Sequence, residues 1–284
     1  MKKICAFFAV LFGISAAITH AATFTNIEYG KAGDEIPKLD ASIPDGPGPF
    51  PAIILIHGGS WTGGDKSTGR ANDSMAPMFE ALTRGGFAWF AINYRLAPKY
   101  RYPADLDDVT MSIRWVKEHA AEYHVDPKRV AISGHSAGGH LAALAAVRAS
   151  TADQVAAVVC FSTPFDLVGT PKLGDPMNPG LVPLFGFTNL TTESVAIEKE
   201  ASPITYVKSG LPPFLILQGT ADTAVAYSHA TNMQDRLNKA HVPCELISIP
   251  GGSHGMNTWD SRVPDYREQV VKWLQTTLNP SPAR

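Results

Sequence analysis

Residues 51–57 are apolar without alternation, the pattern of a strand buried on both faces of a parallel sheet. Residues 87–94, 129–133, 155–161, 214–218 and 245–249 read as further strands. Helical spacing fills the intervals. Met75, Met78, Phe79 and Leu82 predict a helix over 72–84, and Leu106, Val109, Ile113, Val116 and Ala120 predict another from Pro103 to about residue 123. The stretches 141–148, 227–240 and 266–278 are also helical in pattern. Two short strands, 24–29 and 39–43, come first, closed by the turn-rich run 44–49. Strand, helix, strand repeated in this way predicts the α/β class, with a parallel sheet and helices on both of its faces. One segment breaks the rhythm. Residues 163–206 are rich in Pro, Gly and Thr without a long periodic element, which suggests a cap or pocket wall over the strand ends.

The first 21 residues stand apart from this pattern. Met1-Lys2-Lys3 is basic, residues 4–18 are almost wholly apolar, and Thr19-His20-Ala21 places small residues before a possible cut, so 1–21 reads as a bacterial signal peptide. The apolar core is too short for a comfortable membrane span, and no stable membrane insertion is expected. The expected mature chain, 22–284, is one domain of α/β size, placed in the periplasm or outside the cell. Without Lys2 and Lys3 it carries 22 basic and 26 acidic residues, a net charge near -4 that offers no basic field to nucleic acid. Two cysteines remain, Cys160 and Cys244, which raises the question of a disulfide in an exported protein.

Candidate chemistry centres on Gly134-His135-Ser136-Ala137-Gly138, which fits GxSxG between a strand and an alanine-rich helix. Small residues on either side let the backbone turn tightly enough for the Ser136 hydroxyl to project above the sheet end, where it would act as a nucleophile. Such a serine needs a base, an orienting acid and donors for the oxyanion. Asp222 lies on the loop after the strand 214–218, and His254 on the loop after 245–249, both at the carboxyl edge where parallel sheets bind ligands. Asp166, after the strand ending at residue 161, is the competing acid, with capping of a short turn as its other role. His57-Gly58-Gly59-Ser60-Trp61 ends a strand in glycines that can present consecutive amides. The expected donors are Ala137, Gly59 and either Ser60 or Gly58, with His57 a structural hydrogen-bonding partner. Trp61 is either a pocket wall or plain core. His135 packs beside the elbow, and with Met256 it is a candidate for substrate binding. The remaining histidines show no metal-ligand spacing, so no metal is expected.

Taken together, His57-Gly58-Gly59-Ser60-Trp61, Asn93-Tyr94-Arg95-Leu96-Ala97-Pro98, Gly134 to His140, Gly219-Thr220-Ala221-Asp222 and Gly252-Ser253-His254-Gly255 resemble the α/β-hydrolase superfamily. Within it the chain is similar to bacterial carboxylesterases of the hormone-sensitive-lipase-like and feruloyl or acetylxylan esterase type. The resemblance implies an eight-stranded, mostly parallel sheet and a serine esterase with no cofactor. Carried over residue by residue, it makes Ser136 the nucleophile, His254 the base and acid, Asp222 its orienting partner, and Gly59, Ser60 and Ala137 the oxyanion donors. In that strand order the strand at 214–218 separates Cys160 from Cys244, so both are expected to stay free. The chain departs from hormone-sensitive-lipase-like enzymes in lacking a helical cap before the His-Gly-Gly motif and in having His135 where they often carry aspartate. This shifts the expected substrate toward short-chain or aromatic acyl esters, as small molecules or on plant polysaccharide. Formamidase-like and lipase-like hydrolases, and a binding module that has lost its triad, are the alternatives.

Overall fold

The computed structural model describes residues 21–67, 75–168 and 172–279. The expected signal peptide therefore lies, apart from Ala21, outside the described residues, as does the start of the helix expected over 72–84. The elements run β1 (Ala21–Glu28), β2 (Lys38–Pro44), β3 (Phe50–Ile56), α1 (Ala76–Arg84), β4 (Ala88–Ile92), α2 (Ala104–Glu118), β5 (Val125–His135) and α3 (Ala137–Arg148). They continue with β6 (Ala157–Phe161), α4 (Val182–Phe185), α5 (Thr192–Glu200), β7 (Phe214–Gly219), α6 (Ser228–Lys239), β8 (Cys244–Ile249) and α7 (Tyr266–Leu278). All eight strands join one sheet in the order β1-β2-β4-β3-β5-β6-β7-β8. The β1/β2 and β2/β4 pairs are antiparallel and every other pair is parallel.

Side chains alternate across this sheet into two cores, which is why its central strands are apolar throughout. Ile54, Ile56, Val158, Cys160 and Ile216 face α2, α3 and α6, while Ile53, Leu55, Val159, Leu215 and Leu217 face α1 and α7. Cys160 and Cys244 are free, one on β6 and one on β8 with β7 between them, as the strand order implies.

Several elements differ from the periodicity: α2 ends at Glu118 rather than near residue 123, and β5 begins at Val125 rather than at 129. Helix α3 begins at Ala137, four residues before the expected start, because Gly138 and Gly139 are poor helix formers held in place by the packing of the turn. The segment 163–206 is also less irregular than its composition suggests. It contains the nine-residue α5, capped by a reciprocal Thr191/Ser194 pair, but its buried positions include Ser194 and Glu198, so no apolar stripe announces it. No helix among the described residues is long and apolar enough to cross a membrane.

Candidate active site

The turn from β5 into α3 is closed by backbone contact. A Cβ added at Gly138 would stand 2.2 Å from the Ile56 carbonyl oxygen, and one at Gly134 would stand 2.3 Å from the Gly138 carbonyl carbon. Only glycine lets β3, β5 and α3 approach this closely. Between them Ser136 takes φ 54° and ψ -120°, a conformation that costs a side-chain-bearing residue roughly 1–3 kcal/mol. It is anchored by its amide, which donates to the Phe161 carbonyl at 2.9 Å.

Three loops at the carboxyl edge complete the site. Ser136 Oγ lies 3.0 Å from His254 Nε2, and His254 Nδ1 lies 2.9 Å from Asp222 Oδ2. Asp222 follows β7, and its side chain is fully buried. Its Oδ1 accepts from the amides of Ala224 and Val225, both at 2.9 Å, and its Oδ2 also accepts from Gln218 Nε2 at 2.8 Å. Burial pushes the carboxyl pKa up, but the hydrogen bond from His254, those two amides and the imidazole's charge outweigh it and hold it below the ordinary value. Asp222 is therefore an ionised acceptor that fixes a proton on His254 Nδ1 and leaves Nε2 free to accept from Ser136. The competing acid, Asp166, makes no such contact; its Oδ1 accepts from the Val168 amide, as a turn-capping aspartate does.

The His57-Gly58-Gly59 loop lies against the elbow, with the Cβ position of Gly58 3.5 Å from the Ser136 Cβ. Gly59, Ser60 and Trp61 have φ of 114°, 52° and 60°, three successive residues in the left-handed region. The amides of Gly59 and Ser60 donate to no other group among the described residues. Ala137 heads α3, where the first amides have no intrahelical acceptor and carry the positive end of the helix dipole. His57 has the structural place expected of it, stacked on Tyr94 at 4.4 Å with Nδ1 2.8 Å from the Gly58 carbonyl.

A cavity of about 640 Å³ opens over Ser136 and His254. Trp61 lines it and is packed from behind, donating Nε1–H to Nδ1 of buried His140 at 3.2 Å. Residues of 163–206, among them Pro164, Phe165, Leu181 and Ile204, form another wall. Two expected substrate contacts do not. His135 is 8% exposed and off the cavity lining; at the end of β5 it is covered by the histidine loop, and its Nε2 donates to the His254 carbonyl at 2.9 Å. Met256 is 1% exposed and packs with Trp259 in the core on the α1 and α7 side, drawn there by its apolar surface. Sequence reasoning passed over Ser162, whose Oγ also donates to the His254 carbonyl, and Gln218. The signal for Gln218 was present, a polar side chain ending an otherwise apolar buried strand. Among the described residues no cluster of three or more His, Cys, Asp or Glu is placed to hold a metal ion.

Comparison with known proteins places the chain in a family. Esterase LipQ of Mycobacterium tuberculosis is 34% identical over 84% of this chain and 58% of its own length. Esterase LipC of the same organism is 29% identical over 75% and 54%, so the chain spans about half the length of these curated relatives. A solved truncated form of carbohydrate esterase from gut microbiota is 28% identical, with a TM-score of 0.79 over 93% of this chain and 98% of that one. Residues 39–237, from β2 through most of α6, match the BD-FAE family model. With an eight-stranded sheet in the order seen here, the chain belongs to the BD-FAE family and has the α/β-hydrolase fold.

Proposed function

We propose that this protein is a serine carboxylesterase that acts through an acyl-enzyme on Ser136. The observation that carries the reading is the unbroken line from Ser136 Oγ through His254 to buried Asp222, with Ser136 and His254 lining the cavity. His254 Nε2 takes the Ser136 proton as Oγ attacks the ester carbonyl, and the amides of Gly59, Ser60 and Ala137 receive the oxyanion. The imidazolium then gives its proton to the departing alcohol. Water, activated by the same nitrogen, releases the acid and restores Ser136. The relatives named as esterases support this reaction class.

The substrate in this reading is an exported enzyme's: a short or aromatic acyl group on a polar alcohol, as in esterified plant polysaccharide. Its support is the leader pattern over 1–21, the likeness to a carbohydrate esterase and a cavity with room beyond a small acyl group. Ser136→Ala should leave the fold intact and lower kcat/KM on p-nitrophenyl acetate by about 10⁴-fold or more. Retention of about a tenth of wild-type activity would rule out Ser136 as the nucleophile.

A further inference from the structure

The cavity of about 640 Å³ has room beyond a short acyl group, and that room is left to the alcohol. Three of its polar side chains share an unusual arrangement. Asp166 Oδ1 accepts from the Val168 amide at 3.0 Å, Asn178 Oδ1 from the Gly180 amide at 2.9 Å, and His229 Nδ1 from the Phe165 amide at 3.3 Å. In each, one polar atom is tied to the backbone and the second makes no hydrogen bond among the described residues. The tied end restrains the rotamer, so the free end is held ready at little entropic cost.

The free ends form a defined set. Burial pushes the pKa of His229 down, against the pull of Asp166 and Asp222, and keeps its imidazole neutral. With Nδ1 accepting, the hydrogen sits on Nε2. The cavity is thus offered an imidazole donor, an amide donor and a carboxylate acceptor. Among the described residues no lysine or arginine lines it, so an anionic alcohol would meet Asp166 without a counter-charge from them. An alkyl alcohol would cover all three groups and pair none of them. Hydroxyl groups, which donate and accept, match the set.

We propose that Asp166, Asn178 and His229 are the alcohol subsite of this cavity, reading the hydroxyls of a neutral polyol such as a sugar ring. The proposal rests on the esterase reading above. Its test compares an acetylated xylo-oligosaccharide with p-nitrophenyl acetate, because both pass through the same acetyl-enzyme and the ratio of their kcat/KM values isolates recognition of the alcohol. His229→Asn retains an acceptor near the Nδ1 position and deletes the Nε2 donor; it should lower the sugar-to-aryl ratio by about tenfold, the effect of one lost hydrogen bond. Asp166→Asn keeps the acceptor for Val168 and removes the charge, and should lower the ratio by about threefold. His229→Gln, whose amide reaches the Nε2 position, should retain more of the ratio than His229→Asn. A ratio within about twofold of wild type in both His229→Asn and Asp166→Asn, with acetyl-enzyme still forming, would overturn the subsite alone. Full activity of Ser136→Ala on both esters would overturn the esterase reading beneath it.

Discussion

At Asp222 the two carboxylate oxygens have different tasks. Oδ1 holds the turn that follows β7 through the amides of Ala224 and Val225, and Oδ2 orients His254 with support from Gln218. In Asp222→Asn the amide oxygen would stay with the two backbone donors. Its NH2 would then confront both Gln218 Nε2 and His254 Nδ1, forcing the imidazole into the tautomer that carries hydrogen on Nε2. That tautomer cannot accept from Ser136. We expect kcat to fall by about 10³ to 10⁴-fold with KM and fold nearly unchanged, read by steady-state kinetics beside circular dichroism. A loss below about tenfold would show that the carboxylate is not needed to set the tautomer. His135 and Ser162 act at the same scale from the other side, fixing the carbonyl of His254 so that its ring meets both partners.

The decisive element is the junction of β5 and α3. Its tightness is a contact between backbones, so it tolerates no relief by side-chain movement. In Gly138→Ala the new methyl would lie 2.2 Å from the Ile56 carbonyl oxygen, and α3 would have to lift away from β3. The cost should be at least about 3 kcal/mol, the upper end for overpacking. Thermal unfolding should report it as a Tm lowered by about 6 °C or more, with activity lost alongside as Ser136 shifts from His254. A variant melting within about 1 °C of wild type would mean that the turn has slack absent from this structure. Helix α5 shows the opposite case, an element whose start is marked by its capping box but whose buried positions include polar Ser194 and Glu198.

Across the whole molecule, two buried titratable groups pull stability in opposite directions with pH. His140, within α3, is fully buried, accepting from Trp61 and donating Nε2–H to the Ala201 carbonyl at 2.7 Å; burial lowers its pKa to about 4 despite that carbonyl. The unfolded chain then binds a proton that the native state refuses, so stability present above about pH 6.5 is lost as pH falls toward 4. Asp105, 1% exposed at the start of α2, has its pKa raised to about 7 by burial and by the charges of Asp108 and Asp107, against the Leu106 amide. Here the native state holds a proton that the unfolded chain has released, so stability declines as pH rises from about 4 to about 7. Each pKa unit of difference is worth about 1.4 kcal/mol. Asp105→Asn should therefore raise Tm more at pH 8 than at pH 4, and should expose an undisguised acid limb from His140. An equal gain at both pH values would refute the titration of Asp105.

The sequence by itself determined the strands, most of the helices, the elbow and the identities of Ser136 and His254, because apolar periodicity and glycine placement are local consequences of what a buried strand or a tight turn requires. The BD-FAE resemblance was likewise legible as an ordered set of short motifs. Chain order already favoured Asp222, on the loop after the penultimate strand, over Asp166, but the contact that decides between them is tertiary. Both sit on loops at the same sheet edge, and only the packing of β7 beside β8 puts one of them 2.9 Å from His254. Nor could local pattern tell which way Met256 faces, since side chains in a short 3₁₀ helix obey no simple period, or that the His254 loop would fold over His135 at the end of β5. The cavity walls belong to tertiary structure for the same reason: Trp61, Phe165, Asn178 and His229 are far apart in the chain, and their meeting depends on how the segments pack over the sheet.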